Sequence, residues 1–179
     1  MSFEPLDKSD KLTIGSVDKS SLHVEAQYNP KELQVDKMIP WTKANQANQS
    51  NSKGIHLEFT GAEGRTMTVE MMFDGYEKNE SVANKVKILE DLASVIEVEG
   101  SKEDERRPHR CTISWGKGNG LPRFDCVIEH LSTKYTMFSP VGVPLRATCT
   151  VKLKEANVVS MKKAAPAGGA PGAPPAAGA

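Results

Sequence analysis

The sequence has no surplus of charge of either sign and no long apolar run. Its 179 residues carry 23 Lys and Arg against 23 Asp and Glu, so the formal net charge is zero. A protein that mainly holds nucleic acid or an anionic membrane needs a basic surplus, and this balance argues against both classes. No apolar stretch reaches the roughly 18 residues of a membrane-spanning helix, so we predict no membrane insertion. The polar residues 1–8 also predict no secretory signal peptide.

Cysteine is scarce, and motifs for catalysis are missing. The three cysteines, Cys111, Cys126 and Cys149, are odd in number and each lies in a strand-like alternation. This pattern predicts reduced, buried thiols in a protein made in the cytosol. The sequence contains neither a G-x-S-x-G elbow nor a P-loop, and its carboxylates sit in ordinary amphipathic contexts. We therefore predict a protein that is not an enzyme, with no catalytic residue, no metal site and no cofactor.

One alternative for chemistry stays open at this point. The segments 109–111 and 126–130 each contain a histidine and a cysteine, and adjacent strands could bring them together as a zinc site. A zinc-dependent enzyme would then use Cys126 and His130. Neither spacing is that of a zinc knuckle, so buried thiols beside exposed histidines explain the same residues.

Apolar and polar residues alternate with a period of two over most of the chain, which predicts strands. Residues 145–153 form the clearest amphipathic strand. The runs 55–60 and 66–73, joined by glycine-rich residues 61–64, predict a β-hairpin. A long strand is expected over 124–138, with a bulge near His130 and with Val127 and Leu131 on the face opposite to Cys126. Further strands are predicted over residues 11–17, 22–28, 32–39 and 111–115.

A single amphipathic helix interrupts the strands. Its apolar positions recur every three or four residues, which places them on one helical face; they are Val82, Val86, Leu89, Leu92 and Ile96. Asn79 is the expected N-terminal cap, Glu80 suits the positive end of the helix dipole, and Gly100 is the expected stop. The fold class predicted is mainly β (α+β), an antiparallel barrel or sandwich with one helix.

Composition divides the chain into three parts. We predict an N-terminal extension over residues 1–9, a β domain over 10–156 and a flexible tail over 157–179. The last sixteen residues are eight alanines, four prolines and four glycines, so they have no side chain that could build a core. A polar loop rich in Asn and Gln is expected over residues 42–53, where contacts would order only in the presence of a partner.

Three segments carry motifs of one known family. Residues 27–33 contain Tyr28, Asn29 and Pro30, and the segment 135–147 contains Phe138, Gly142, Pro144, Arg146 and Ala147. Between them, a Pro-led strand ends in Trp115 and Gly116. In these motifs the sequence resembles the tube-type baseplate proteins of contractile injection systems, with 27–33 similar to the family's opening motif and 135–147 to its closing strand. The resemblance covers roughly residues 10–155.

The resemblance implies a phage tail-tube-like fold whose hairpins close a ring, normally a hexamer, around a channel. It also implies a structural baseplate role, as an adaptor ring between the inner tube and a trimeric VgrG-like spike. The expected partners are other copies of this chain, that spike, inner-tube or tube-initiator proteins and other baseplate proteins. Assembly is expected in the bacterial cytoplasm, within a phage tail-like particle that can be released. Family members normally continue into a LysM-like module, where this sequence has its Ala/Pro/Gly tail.

On this hypothesis, the hairpins that form the ring carry one row of residues toward the lumen or solvent. The expected interface residues are Thr66, Thr68, Val69, Glu70, Arg146, Thr148, Thr150 and Lys152. Arg146 either faces the lumen or pairs with a carboxylate, and the sequence leaves both readings open. The alternative function is a monomeric small β-barrel that binds a ligand in an apolar pocket.

Overall fold

The computed structural model of the protein describes residues 10–43, 57–61, 63–96, 107–116 and 120–156. Within them lie nine strands and one helix. In chain order these are β1 Thr13–Ser16, β2 His23–Glu25, β3 Leu33–Asp36, β4 Trp41–Lys43, β5 Leu57–Phe59, β6 Thr66–Asp74, α1 Ala83–Ala93, β7 Cys111–Trp115, β8 Leu121–Phe138 and β9 Pro144–Glu155. The predicted extension 1–9, tail 157–179, loop residues 44–53 and Gly100 lie outside the described residues.

Seven of the strands form one antiparallel sheet in the order β2-β1-β7-β8-β9-β6-β3. The sheet curls into a half-barrel, which confirms the mainly β class with one helix. Strands β2 and β3 are its two terminal strands. The helix that the described ranges contain is not long and apolar enough to cross a membrane.

The core lies between one face of this sheet and α1. Helix α1 contacts β8, β2 and β9, and its apolar stripe is buried through Val86, Leu89 and Leu92. Along β6 and along β9, buried side chains alternate with half-buried or exposed ones, as the sequence predicted. Burial of a large aliphatic or aromatic side chain contributes roughly 1.5–3 kcal/mol, so this two-layer packing is the main source of stability.

The helix is shorter than predicted at both ends. Its N-terminal boundary residue is Val82, whose side chain makes no capping hydrogen bond. The Ser81 hydroxyl oxygen accepts a hydrogen bond from the Ala83 N–H at 3.2 Å. Asn79 instead adopts a left-handed conformation with φ of 52° in the preceding turn, so the predicted cap is wrong. The helix ends at Ala93, because Val95 then forms a strand-like bridge with Pro108. Ile96 therefore lies beyond the helix.

Strand β8 contains the predicted bulge, and the bulge corrects one prediction. Ile128 pairs with Leu153 and His130 pairs with Lys152, so Glu129 is an extra residue on β8. An extra residue moves every later side chain to the opposite face. Leu131 therefore packs against the core, opposite Val151, and not on the outer face as predicted.

The predicted hairpin between residues 55–60 and 66–73 is wrong. Strand β5 pairs with β4, in the register Trp41↔Phe59, while β6 pairs with β3 and β9. Strands β3 and β4 therefore form one side of a long hairpin, and β5 and β6 form the other. Gly61, with φ of 137°, lies between β5 and β6, where the chain bends without turning back.

Candidate assembly surfaces

Seven of the eight predicted interface residues lie together on one face of the sheet, which we call the polar face. In the β6–β9 ladder, Thr68 is opposite Lys152 and Glu70 is opposite Thr150. Directly opposed residues of antiparallel strands share a face. The seven are Thr66, Thr68, Glu70, Arg146, Thr148, Thr150 and Lys152, and all are half-buried or exposed.

Val69 differs from these seven. It lies on the core face with only 1% of its surface exposed, between Leu33 of β3 and Val151 of β9. Its strand is internal to the sheet, so a proline here would remove ladder hydrogen bonds and unfold the sheet itself. Val69 is therefore a core position, and the exposed edge of the protomer lies one strand further out.

Charges on the polar face are paired across strands. Nε of Arg146 donates to Oδ2 of Asp74 at 2.9 Å, and Nζ of Lys152 lies 2.9 Å from Oε2 of Glu129. The N–H of Tyr76 and, next, the Arg146 guanidinium lower the pKa of Asp74. The sequence left two roles open for Arg146, and the structure shows the ion pair.

The polar face as a whole carries as many acids as bases. Thr66 of β6 lies between Asp36 of β3 and Lys154 of β9. Lys134 of β8 is opposite Thr148 of β9. Together with Glu70 and the two ion pairs, these residues place positive and negative side chains in alternation across the strands, with threonines between them. Such a face attracts water and has no strong field of one sign.

Strands β4 and β5 form a separate two-stranded sheet, which we call the aromatic arm. All of its residues are exposed, including Trp41 at 56%, Leu57 at 49% and Phe59 at 55%. The Trp41 and Phe59 rings contact each other with centroids 5.5 Å apart. An isolated two-stranded hairpin is at best marginally stable in water. The apolar face of the arm is therefore a candidate contact surface.

The turn between β8 and β9 contains Gly142 of the closing family motif, and Pro144 follows at the start of β9. The Ser139 N–H donates to the Val143 carbonyl at 2.8 Å, and the Gly142 N–H donates to the Ser139 carbonyl at 2.9 Å. Gly142 has φ of 83°, which a residue with a Cβ rarely adopts. The Pro144 carbonyl accepts a hydrogen bond from the Val82 N–H at 3.1 Å, which ties the start of β9 to the start of α1.

Four of the remaining motif residues have structural roles, whereas Tyr28 and Phe138 are exposed. Asn29 accepts a hydrogen bond from the Leu12 N–H through Oδ1 at 3.1 Å, so it fastens the segment before β3 to the chain before β1. Tyr28 is 51% exposed. Trp115 packs against the core, and Gly116 has φ of 81° immediately after β7. Ala147 is fully buried on β9.

Gln27 is a residue whose role the sequence did not indicate. Its side-chain amide donates to the Asp74 carbonyl at 2.7 Å and accepts from the Asp74 N–H at 3.0 Å. These two bonds imitate a ladder pair, so they extend the sheet beyond the start of β3 along the edge of β6. Lys85 of α1 also donates to Gln27 Oε1 at 3.3 Å. Gln27 is half-buried, and no sequence pattern indicates that a glutamine there would bond to a backbone 47 residues away.

The proposed zinc ligands do not converge as a set, although Cys111 and Cys126 are directly opposite each other in the β7–β8 ladder. Cys126 is fully buried on the core face, whereas His130 follows the bulge and is exposed. His109 is hydrogen-bonded through Nδ1 to Ser16 Oγ at 2.8 Å. Across the described ranges, no group of three His, Cys, Asp or Glu residues is arranged to hold a metal ion.

The thiols and His109 are in buried surroundings that disfavour charge. Burial raises the pKa of Cys111 to about 12 and raises that of Cys126 as well. Burial is also the main cause of the lowered pKa of His109. Thiols that stay protonated are poor nucleophiles and poor metal ligands, so these side chains fill the core.

One protein-family model matches most of the chain, including the surfaces described above. Residues 8–164 match a family model described as contractile injection system tube protein. No curated protein matches the sequence. The matched range includes the whole sheet, α1 and the aromatic arm.

Proposed function

Since the chain belongs to the contractile injection system tube proteins, we propose that its copies close into a ring that joins the inner tube to a VgrG-like spike. As a family member it is a structural component of a phage tail-like particle. We take the ring to be a hexamer in the baseplate, assembled in the bacterial cytoplasm. Its partners in this proposal are other copies of the chain, a trimeric spike, inner-tube or tube-initiator proteins and other baseplate proteins.

The open edges of the half-barrel are the main observation that supports a ring. Strands β2 and β3 end the sheet on opposite sides, and exposed strand edges favour pairing with another chain. Pairing β3 of one copy with β2 of the next uses two different surfaces and repeats around a closed ring. Closure then leaves the seven-stranded sheet without a free edge, as in a barrel.

The polar face is the natural lining of the channel in such a ring. The opposite face of the sheet is covered by α1 and forms the core, so it is unable to face a water-filled lumen. The polar face carries threonines, serine and paired charges instead. A lumen of this kind holds water, and Met72 is a single exposed apolar side chain among its polar groups.

The alternative of a monomeric ligand-binding barrel has less physical support. The sheet is a half-barrel and not a closed one. An apolar cleft lined by Leu12, Met67 and Trp115, among others, has a cavity volume of about 10 Å³, which is room for about one water molecule. Small-molecule pockets usually span ~300–1,000 Å³. A stable monomer with a ligand-dependent rise in melting temperature would nevertheless favour this alternative over the ring.

We expect light scattering and negative-stain imaging to show rings of the purified protein, alone or with a co-expressed spike. The variant Val35→Lys should lose these rings and remain folded, because a lysine on an edge strand opposes strand pairing. Val35 lies on β3 and is 47% exposed. The matched control is Val95→Lys, since Val95 is 52% exposed and lies outside the terminal strands. Equal ring yields for the two variants would contradict pairing through β3.

A second test concerns the channel face. Cysteine introduced by Glu70→Cys should react with a small maleimide in the ring, but not with maleimide attached to a large globular protein. The control Lys87→Cys, on the exposed side of α1, should react with both reagents. The three native cysteines are buried, so they do not compete for the label. Equal access of the large reagent to both sites in intact rings would show that the polar face is on the outside.

A further inference from the structure

A buried serine–histidine pair lies where β1 ends and β7 is about to begin. Ser16 is the last residue of β1 and is fully buried. His109 precedes β7 by two residues and is 8% exposed. Its Nδ1 lies 2.8 Å from Ser16 Oγ. The contact therefore joins the β1–β2 turn to the segment that leads into β7, although the two residues are 93 positions apart in the sequence.

The other hydrogen bonds of Ser16 determine which imidazole nitrogen carries the proton. Ser16 Oγ accepts from the Asp18 N–H at 3.1 Å and from the Lys19 N–H at 2.9 Å. A serine hydroxyl has two acceptor lone pairs and one hydrogen to donate. Because both lone pairs are occupied, the hydroxyl hydrogen fills the third contact, and His109 Nδ1 accepts it. His109 is therefore neutral, with its own proton on Nε2.

We propose that His109 is a proton-sensitive lock, which keeps the β1–β2 turn ordered while it is neutral and releases the turn when it is protonated. An incoming proton binds at Nδ1, the nitrogen that accepts from Ser16. The hydroxyl and the imidazolium then both present a hydrogen to their contact. Ser16 Oγ can accept from Nδ1–H only by losing the backbone N–H of Asp18 or Lys19. Because β2 is a terminal strand, the lock controls order at one edge of the half-barrel.

The surroundings of His109 place the release on the acid side of neutrality. Burial is the main cause that holds the pKa of His109 below its ordinary value of 6.5. Of the charged groups around the ring, Asp18 and Asp91 favour the imidazolium, whereas Lys19 and Arg107 oppose it. A histidine whose pKa is lower in the folded state gives stability that is present above its unfolded pKa. That stability is lost as the pH falls below about 6.5.

A clamp beside the lock stays closed in the same pH range. The two carboxylate oxygens of Asp18 each accept from the Arg107 guanidinium at 2.8 Å, and Oδ2 also accepts from the Arg110 N–H at 2.8 Å. The Arg107 guanidinium is the main cause that lowers the pKa of Asp18 from its ordinary 3.8. Asp18 therefore stays charged while His109 takes up a proton. The lock loosens the turn locally, and the clamp keeps the segment 107–110 attached.

NMR of the ¹⁵N-labelled chain tests the lock. At about pH 8 we expect the Nε2–H tautomer of His109, and protonation of the ring as the pH is lowered to about 5. The hydrogen-exchange protection factors of the Asp18 and Lys19 amides should then fall several-fold. The Arg110 amide, which donates to Asp18, is the internal control and should keep its protection. An Nδ1–H tautomer at about pH 8, or protonation that leaves both amides equally protected, would overturn the proposal.

The variant His109→Asn removes the titration but keeps an acceptor, because the asparagine Oδ1 occupies the same side-chain position as Nδ1. Between about pH 8 and about pH 5, its urea midpoint should fall less than that of the native chain. This range lies above the pKa values of 4.5 and about 2 between which Glu155 acts. The control His23→Gln, at an exposed position of β2, should keep the native pH dependence. Equal falls for His109→Asn and the native chain would contradict the lock, and if His109→Asn does not fold, the NMR measurement decides alone.

Discussion

Replacing Phe73 with alanine should lower the free energy of unfolding by about 3–5 kcal/mol, the usual cost of removing a large aromatic side chain from a core. Phe73 is fully buried and is among the largest such side chains of the described chain. It lies on β6 opposite Ala147, which is also fully buried. The ammonium group of Lys85 on α1 lies 5.6 Å from the ring centroid, so the variant also loses a cation–π contact.

Urea unfolding of the monomer measures this effect. Typical domains are stable by about 5–15 kcal/mol, so the variant should unfold at a much lower urea concentration or be unfolded at room temperature. The matched control is Met72→Ala, one residue away on the other face of β6, where the side chain is 40% exposed. We expect a loss under about 1 kcal/mol there. Similar losses at residues 72 and 73 would contradict the assignment of the core to one face of β6.

Acid should destabilise the protein through Glu155, with the loss occurring as pH falls from about 4.5 to about 2. The Arg65 guanidinium and, next, the Arg65 N–H lower the pKa of Glu155 from 4.5 to about 2. The guanidinium and N–H each donate to the carboxylate at 2.8 Å. A carboxyl whose pKa is lower in the folded state gives stability above its unfolded pKa. That stability disappears as the folded form takes up the proton.

The variant Glu155→Gln separates this effect from general acid unfolding. Because the pair is partly exposed, we expect a loss of about 1–2 kcal/mol at pH 7. We also expect a shallower fall in stability between pH 4.5 and 2 than in the native protein. Urea titrations at several pH values measure both. The control Glu77→Gln, at an exposed turn position, should keep the native pH dependence. If the free energy of unfolding falls with pH as steeply in the variant as in the native protein, Glu155 is not the source of the acid destabilisation.

Strong local periodicity is what made parts of the fold predictable. Residues 145–153 alternate without interruption, and β9 covers them with the predicted face buried. The helical face through Val86, Leu89 and Leu92 is also confirmed. The paired rows of β6 and β9 followed from the same alternation, because side chains opposite each other in a ladder share a face. This is why seven of the eight residues selected from the sequence lie together on the polar face.

The errors have identifiable physical causes. A short strand followed by glycines has the same local signal whether the chain turns back or only bends, and β5 was therefore paired with the wrong strand. The bulge was expected near His130, but its effect on Leu131 depends on which residue is the extra one. The placement of Val69 depended on strand order, which tertiary pairing decides. The role of Gln27 depends on the position of Asp74, which is distant in sequence.

The bulge at Glu129 has a consequence for how this sequence can change over evolution. Side chains of a strand alternate between faces, so a single inserted or deleted residue in β8 exchanges the two faces from that point onward. Before the bulge, Phe124, Cys126 and Ile128 face the core, and after it Leu131 does. Natural length variation within β8 should therefore occur in steps of two residues. A one-residue change should persist only in lineages that gained or lost a bulge at the same time.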